Sequence, residues 1–298
     1  MIVAQTLADF AEARARLDSE GRRRVVFVAT MGALHAGHRA LIQSAHRRGD
    51  AVVVSIFVNP LQFGPGEDYA RYPRPLADDL EVCQAEGVDL VLVPTVAELY
   101  PAGRQVSVHA GPMGAVLEGV SRPGHFDGVL TVVLKLFHLV RPQVALFGQK
   151  DAQQLVCIQR MVLDLNLDIE VIGEPTVREP DGLALSSRNV FLTPLERAMA
   201  VSLSTALEKA ATADSVPAAR IAADEVLDRV QFEPTFSLDY AAIVHPTTFA
   251  EVPEDHSGPA LFVVAAMVGS TRLIDNACLL FPAPLESAES AESVELSA

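Results

Sequence analysis

Between Arg22 and Gly173 the chain alternates short, continuously apolar, β-branched runs with segments whose apolar residues recur at helical spacing. This alternation constrains the fold more than any other feature. RRRVVFVAT (22–30), AVVVSIFV (51–58), VDLVLVP (88–94), QVALFG (143–148) and LDIEVIG (167–173) read as strands. HRALIQSAHRRGD (38–50), residues 76–87 and DAQQLVCIQRMVLDL (151–165) read as helices. Strands that are apolar on both faces must be covered on both faces, which requires a parallel sheet between layers of helices. The expected fold class is therefore α/β, a doubly wound, Rossmann-like parallel sheet. Ligands of such sheets sit in the crevice at the carboxyl ends of the strands. FDGVLTVVLKLFHLV (126–140) is apolar at helical spacing but rich in β-branched residues; a helix is expected, serving either a core or an interface, with His138 a satisfied core or interface residue.

After about residue 180 the rhythm changes. TPLERAMAVSLSTALEKAA (193–211) opens with a Thr cap, Pro at the first helical position and Glu196 at the third, a strong helix start. A second helix is expected over 217–230, followed by extended runs at 237–244, 261–269 and 271–279. Helices followed by antiparallel strands indicate a smaller α+β domain with a second, separate core. The expected organisation is a Rossmann-like domain over 1–180, a smaller α+β lid domain over 181–284, and a disordered, low-complexity acidic tail over 285–298.

Composition narrows the partners. Among 298 residues, 38 Asp and Glu face 23 Lys and Arg, a formal net charge of −15. Such a chain lacks the basic surface that nucleic acids require. A small anion is not excluded, because a local pocket of donors can outweigh the global field. Three cysteines without pairing or metal-like spacing fit a reducing compartment. No run approaches the ~18 apolar residues of a membrane span, and MIVAQTLADFAEARARL does not read as a secretory signal. The expectation is a soluble cytoplasmic protein without membrane or nucleic-acid partners.

Four segments carry candidate chemistry. TMGALHAGH (30–38) follows a strand and opens a helix, where backbone N–H groups and the helix dipole favour an anion. Its His35 and His38, three apart, read either as a pair donating toward phosphate oxygens or as a turn with one surface His and one satisfied by the backbone, and no His-Glu-x-x-His zinc pattern is present. FVNPLQFGPGEDYARYPR (57–74) is long for a connector and reads as a binding loop, with the amides of Asn59 and Gln62 suited to hydroxyls and a carboxylate. ALFGQKDAQQL (145–155) is again strand, Gly turn and helix start. It carries Lys150, one of only three lysines beside 20 arginines, while Asp151 reads equally as a helix cap. LALSSRNVFLTP (183–194) is either a phosphate clamp from the second domain or a polar turn before the Thr193 cap. A fifth stretch, LEGVSRPGHFDGV (117–129), places Glu118, Arg122 and His125 around Pro and Gly.

In order along the chain, these segments resemble the pantothenate synthetase (pantoate–β-alanine ligase) family, from about residue 25 to 195, with further support in TRLIDNA (271–277). MGALHAGH looks like the His-x-Gly-His signature of the nucleotidyltransferase superfamily; FVNPLQF and FGQKD narrow it to this ligase, against an adenylyl- or cytidylyltransferase. The resemblance implies ATP-dependent condensation of (R)-pantoate with β-alanine through a pantoyl adenylate, releasing pyrophosphate and then AMP. It implies ATP as substrate with Mg²⁺, no tightly bound organic cofactor, no protein-bound metal, and a homodimer. Carried over by position, His38, His35, Lys150 and Arg188 would be catalytic. The ATP contacts would be Met31, Gly32, Ala33, Leu34, Ala36 and Gly37 beside the histidines, then Gly148, Gln149 and Asp151 beside Lys150. Val177 would lie near the adenosine, and Leu185, Ser186 and Ser187 would join Arg188 at the triphosphate. Gln62 and Gln154 would contact pantoate, Gln62 also β-alanine, with Asn59, Tyr72, Glu118, Arg122 and His125 as neighbours. Ala29, Gln149 and Leu185 depart from the family's usual Pro, Glu and Met, and the acidic tail lies outside its pattern.

Overall fold

The computed structural model describes residues 1–18, 23–101 and 104–283, so the acidic tail expected over 285–298 lies outside the described residues. The first part of the chain runs β1 (Ile2–Ala4), α1 (Leu7–Leu17), β2 (Val25–Thr30), α2 (Ala36–His46), β3 (Ala51–Ile56), α3 (Leu76–Ala85), β4 (Leu90–Leu92) and α4 (Val96–Leu99). It continues through α5 (Glu118–Ser121), α6 (His125–Val140), β5 (Val144–Gly148), α7 (Ala152–Asp164) and β6 (Glu170–Glu174). The six strands form one sheet in the order β1-β4-β3-β2-β5-β6, and every pair is parallel. From β2 the chain winds one way to β3 and β4 and the other way to β5 and β6, so strand order reverses between β2 and β5.

Pleating sends alternate residues to opposite faces. Val26 and Val28 of β2 pack with Ile42 of α2 and Leu146 of β5 on one side. Phe27 packs on the other against Phe10, Leu136 and Ile158, and its ring meets Phe137 edge-on at 6.4 Å. α6 is a full helix and its apolar face is buried within this second layer, so core packing overrides its β-branched content. His138, expected at a core or an interface, is outside the core, on the exposed side of α6.

β1 and α1 carried too little sequence signal to be expected. β1 is only three residues long and pairs at the sheet edge with β4. α1 buries just Phe10 and Ala13, and Thr6 caps it by accepting the Asp9 N–H.

The later elements are α8 (Pro194–Ala210), α9 (Val216–Leu227), β7 (Phe236–Val244), β8 (Gly258–Val268) and β9 (Thr271–Phe281). α8 begins as expected: the Thr193 hydroxyl accepts the Glu196 N–H at 3.3 Å, and Glu196 accepts the Thr193 N–H at 2.8 Å. The three strands form an antiparallel sheet in the order β7-β8-β9, and α8 and α9 share its core through Leu203, Leu207 and Ala223. A smaller cluster packs Ala242, Val244, Leu261 and Val263 against Ala152 and Val156 of α7. This contact seats the small sheet beside the turn that joins β5 to α7.

Candidate active site

Where strand order reverses, the ends of β2 and β5 open onto a cavity of about 240 Å³. Its walls come from all the chemistry-bearing segments read in the sequence.

The link from β2 to α2 forms the first wall. Gly32 (φ +82°) and Ala33 (φ +51°) are both left-handed, a conformation Gly adopts without strain. The Ala33 and Leu34 N–H groups donate to the carboxylate of Asp79 on α3 at 3.0 and 2.7 Å. A Cβ on Gly32 would stand 2.8 Å from Asp79 Oδ2, so this position demands Gly for space as well as for φ. Gly32, Ala33, Leu34 and Ala36 therefore do not line the cavity, while Met31, His35, Gly37 and His38 do. The expected anion-cradling amides of Ala33 and Leu34 are taken by Asp79, which the sequence did not single out.

The two histidines form the helix cap. His35 Nδ1 accepts the Gly37 N–H at 3.1 Å, and His38 Nδ1 accepts the His35 N–H at 3.3 Å. This is a capping box built from imidazoles in place of Ser and Glu. Because a backbone N–H can only donate, both Nδ1 atoms must be unprotonated, and the proton of each neutral ring sits on Nε2. Burial, then the neighbouring His35, push His38 down to about 3. Burial, then Lys150, likewise lower His35. Near neutral pH both rings are uncharged Nε2–H donors. His38 is thus a hydrogen-bond donor here, and proton donation by an imidazolium is disfavoured.

The loop after β3 sets the amide wall. Asn59 is fully buried and capped on all sides: its Oδ1 accepts from Leu61 N–H (3.2 Å) and Tyr100 OH (2.8 Å), while Nδ2 donates to Gly128 O (3.1 Å) and Gln62 Oε1 (3.0 Å). Gln62 is thereby oriented with Nε2 toward Met31 and the cavity. Arg122 and His125 hold the same turn from the other side. The Gln62 carbonyl accepts from Arg122 (3.2 Å) and from His125 Nδ1–H (2.8 Å). Burial, then Arg122, push His125 down to about 4. Arg122 also forks onto Glu67 at 3.1 and 2.6 Å. Glu118 is outside the main cavity. It accepts from Arg272 at 2.6 and 2.7 Å and from Tyr240 OH at 3.1 Å, tying α5 to the small sheet.

Gly148, Lys150, Asp151 and Gln154, from the turn after β5, line the cavity. Among the described residues the Lys150 ammonium has neither a hydrogen bond nor an ion pair. Gln149 does not face the cavity, contrary to expectation; its Nε2 points back to the Gly173 carbonyl at 3.3 Å. Beside it, Glu174 lines the cavity and accepts from Ser44 Oγ at 2.6 Å and Arg48 at 3.0 Å. Val177 and Leu185 face each other across a short hairpin, joined by a Leu185 N–H to Val177 O bond of 2.9 Å, and both line the cavity. Ser186, Ser187 and Arg188 complete the wall. Arg188 is engaged: it donates to both oxygens of Asp68 (2.7 and 3.1 Å) and lies over the Tyr72 ring. Tyr72 OH is 3.4 Å from Ser187 Oγ. The 57–75 loop and the Ser-Ser-Arg segment thus meet across the cavity, through an Asp68 that carried no recognisable motif.

The result is a cavity in an acidic protein with neutral imidazole N–H donors, a free ammonium, and a guanidinium held by a single carboxylate. Such a set suits an extended anion on one side and a hydroxylated carboxylate by the amides on the other. Among the described residues, no group of three or more His, Cys, Asp or Glu is placed to hold a metal ion.

Comparison with known proteins converges on one family. Residues 2–278 match the family model described as pantoate-beta-alanine ligase. A pantothenate synthetase of Acidothermus cellulolyticus is 54% identical over 278 residues, covering 92% of this chain and 90% of that protein. The crystal structure of pantothenate synthetase from Thermus thermophilus superimposes with a TM-score of 0.87 at 48% identity, covering 95% of this chain and all of that one. A pantoate-beta-alanine ligase from Francisella tularensis, crystallised with beta-gamma ATP and beta-alanine, superimposes with a TM-score of 0.76 at 34% identity over 93% of this chain and 97% of its own. Sequence match across nearly the whole chain and agreement of the fold lead to one conclusion: this chain belongs to the pantoate–β-alanine ligase family and is a ligase of pantothenate biosynthesis.

Proposed function

We propose that this ligase joins (R)-pantoate to β-alanine by way of a pantoyl adenylate, with ATP as the activating substrate. The observation that carries the reading is the convergence of His35, His38, Lys150, Arg188, Gln62 and Gln154 on one cavity at the reversal of strand order. The Francisella relative, whose crystals hold an ATP form and β-alanine, supports the choice of substrates.

In the first step a pantoate carboxylate oxygen attacks the α-phosphorus of ATP. The new P–O bond forms as the bond to pyrophosphate breaks. Gln62, held as a donor by Asn59, and Gln154 orient pantoate. The neutral Nε2–H groups of His35 and His38 and the Lys150 ammonium donate to phosphate oxygens as charge builds there. Mg²⁺ enters with ATP on the phosphate oxygens as part of the substrate. Ser186, Ser187 and Arg188 receive the triphosphate, Arg188 exchanging Asp68 for phosphate. Met31, Gly37, Gly148, Asp151, Val177 and Leu185 border the nucleotide.

In the second step the amine of β-alanine attacks the activated carbonyl; the C–N bond forms, the acyl C–O bond breaks, AMP leaves and the amine proton goes to solvent. The adenylate must be kept from water meanwhile. In this reading residues 181–284 act as the covering unit, and the enzyme is a cytoplasmic homodimer. Among the described residues no helix is long and apolar enough to cross a membrane.

The test is ordered addition. Pantoate alone should release pyrophosphate from ATP, and AMP should follow when β-alanine is added. Pyrophosphate release that ignores pantoate rejects the mechanism. Size-exclusion chromatography with light scattering tests the dimer.

A further inference from the structure

TRLIDNA (271–277) supports the family resemblance, yet no step above uses it. On β9 its Asp275 and Asn276 are both buried; they lie outside the cavity described above and border a small cleft beside it. Asn276 Nδ2 donates to two consecutive carbonyls, those of Gln149 and Lys150, at 2.9 Å each. Carbonyls can only accept, so the amide orientation is determined by chemistry. Asn276 is itself held: its N–H donates to Asp275 Oδ1 at 2.8 Å, and Asp275 is gripped by Arg178 through bonds of 2.6 and 3.0 Å.

The two carbonyls belong to the single helical turn Gln149–Asp151 that carries Lys150 into the cavity. Among the described residues the Lys150 ammonium has no partner of its own, so the backbone of this turn sets its aim. That backbone is pinned from behind by Asn276. We propose that Asn276 is a positioning residue for Lys150, through which the small sheet fixes the ammonium over the substrate phosphates. The proposal rests on the reading above that Lys150 meets those phosphates. Asn276 does not line the cavity described above but a small cleft beside it that Lys150 and Gln154 also border, and its amide is spent on the two carbonyls of the turn.

Asn276→Asp tests it, because a carboxylate oxygen in place of the NH₂ repels both carbonyls at nearly unchanged volume. Displacement of a catalytic group by about 1 Å lowers rate ~100-fold. The measurement is pantoate-dependent pyrophosphate release at saturating substrates for the wild type, Lys150→Ala, Asn276→Asp and the double variant, with thermal melts on each. Each single change should slow the step ~100-fold, and the double variant should be barely slower than Lys150→Ala alone, because the aim of an absent ammonium has no effect. Multiplying losses in the double variant overturn the proposal and make Asn276 merely structural. Full activity of Asn276→Asp beside an inactive Lys150→Ala overturns it while leaving the role of Lys150 intact. Full activity of Lys150→Ala rejects that role, and the proposal with it. If Asn276→Asp does not fold, Asn276→Ser, which keeps one donor, takes its place in the cycle.

Discussion

Replacing His38 separates the two tasks its ring nitrogens perform. Nδ1 accepts the His35 N–H at 3.3 Å and completes the cap of α2. Nε2, protonated in the neutral ring, is left to donate into the cavity. Asn can place its Oδ1 near the Nδ1 position but reaches no further; Gln can place its amide N–H near Nε2 but gives up the cap. Loss of a helix cap costs about 1 kcal/mol, whereas loss of a donor to developing charge costs roughly 3–4 kcal/mol, or ~100- to 1000-fold in rate. His38→Asn should therefore unfold at nearly the wild-type urea midpoint and lose ~100- to 1000-fold in pantoate-dependent pyrophosphate release. His38→Gln should show the reverse balance, about 1 kcal/mol less stable and the more active of the two. Because burial holds His38 at about 3 and His35 below its ordinary value, neither ring should give the adenylation step an inflection near pH 6.5. Single-turnover quench-flow over about three pH units around the ordinary histidine value reads the rate and its pH dependence, and urea melts read the stability. A His38→Asn enzyme as fast as the wild type would refute the assignment of Nε2 as the working donor.

Acid should weaken the fold before carboxylates titrate. His38 (about 3) and His125 (about 4) are both depressed by burial, so the unfolded chain takes up their protons first; their contribution is complete above about pH 6.5 and is lost as pH falls toward those values. At about pH 5 each contributes a loss of roughly 2 kcal/mol, read as a lower urea midpoint than at neutral pH; equal midpoints contradict it. Asp68→Asn should free Arg188 from its two-point ion pair and lower KM for ATP by about fivefold, the scale of a partly exposed pair near 1 kcal/mol, while an unchanged or raised KM rejects Asp68 as a competitor of phosphate. Gly128→Ala would put a Cβ 2.2 Å from the Leu61 carbonyl and push the turn that holds Gln62; a loss of about 1–3 kcal/mol with a raised KM for pantoate but not for ATP is expected in steady-state kinetics and melts.

What the sequence determined by itself follows from local pattern. Continuous apolar strands alternating with amphipathic helices dictate a covered parallel sheet, and the Thr193–Glu196 box begins α8 where its chemistry says it should. The motif-bearing residues were legible too, through the family resemblance of the segments that hold them: His35, His38, Gln62, Lys150 and Arg188 all line one cavity. What remained hidden was every partner distant in sequence. Asp79 takes the Ala33 and Leu34 amides across 46 and 45 residues; Asp68 holds Arg188 across 120; Asn276 holds the Lys150 turn across 126. Asp79 lay in no marked segment, and although Asp68 sits in the 57–74 loop and Asn276 in TRLIDNA, nothing local says which residue either one holds. The same holds for the face of Gln149, which was expected at the nucleotide and turned away because Gly173 of the neighbouring strand offers its side chain a carbonyl. Periodicity and turn chemistry act over a few residues and could be read from the chain alone. The proton on His38 Nε2 belongs to that local class, since the bond that sets it spans three residues at the cap of α2; what aims Lys150 depends on hydrogen bonds that exist only once the two sheets have packed together.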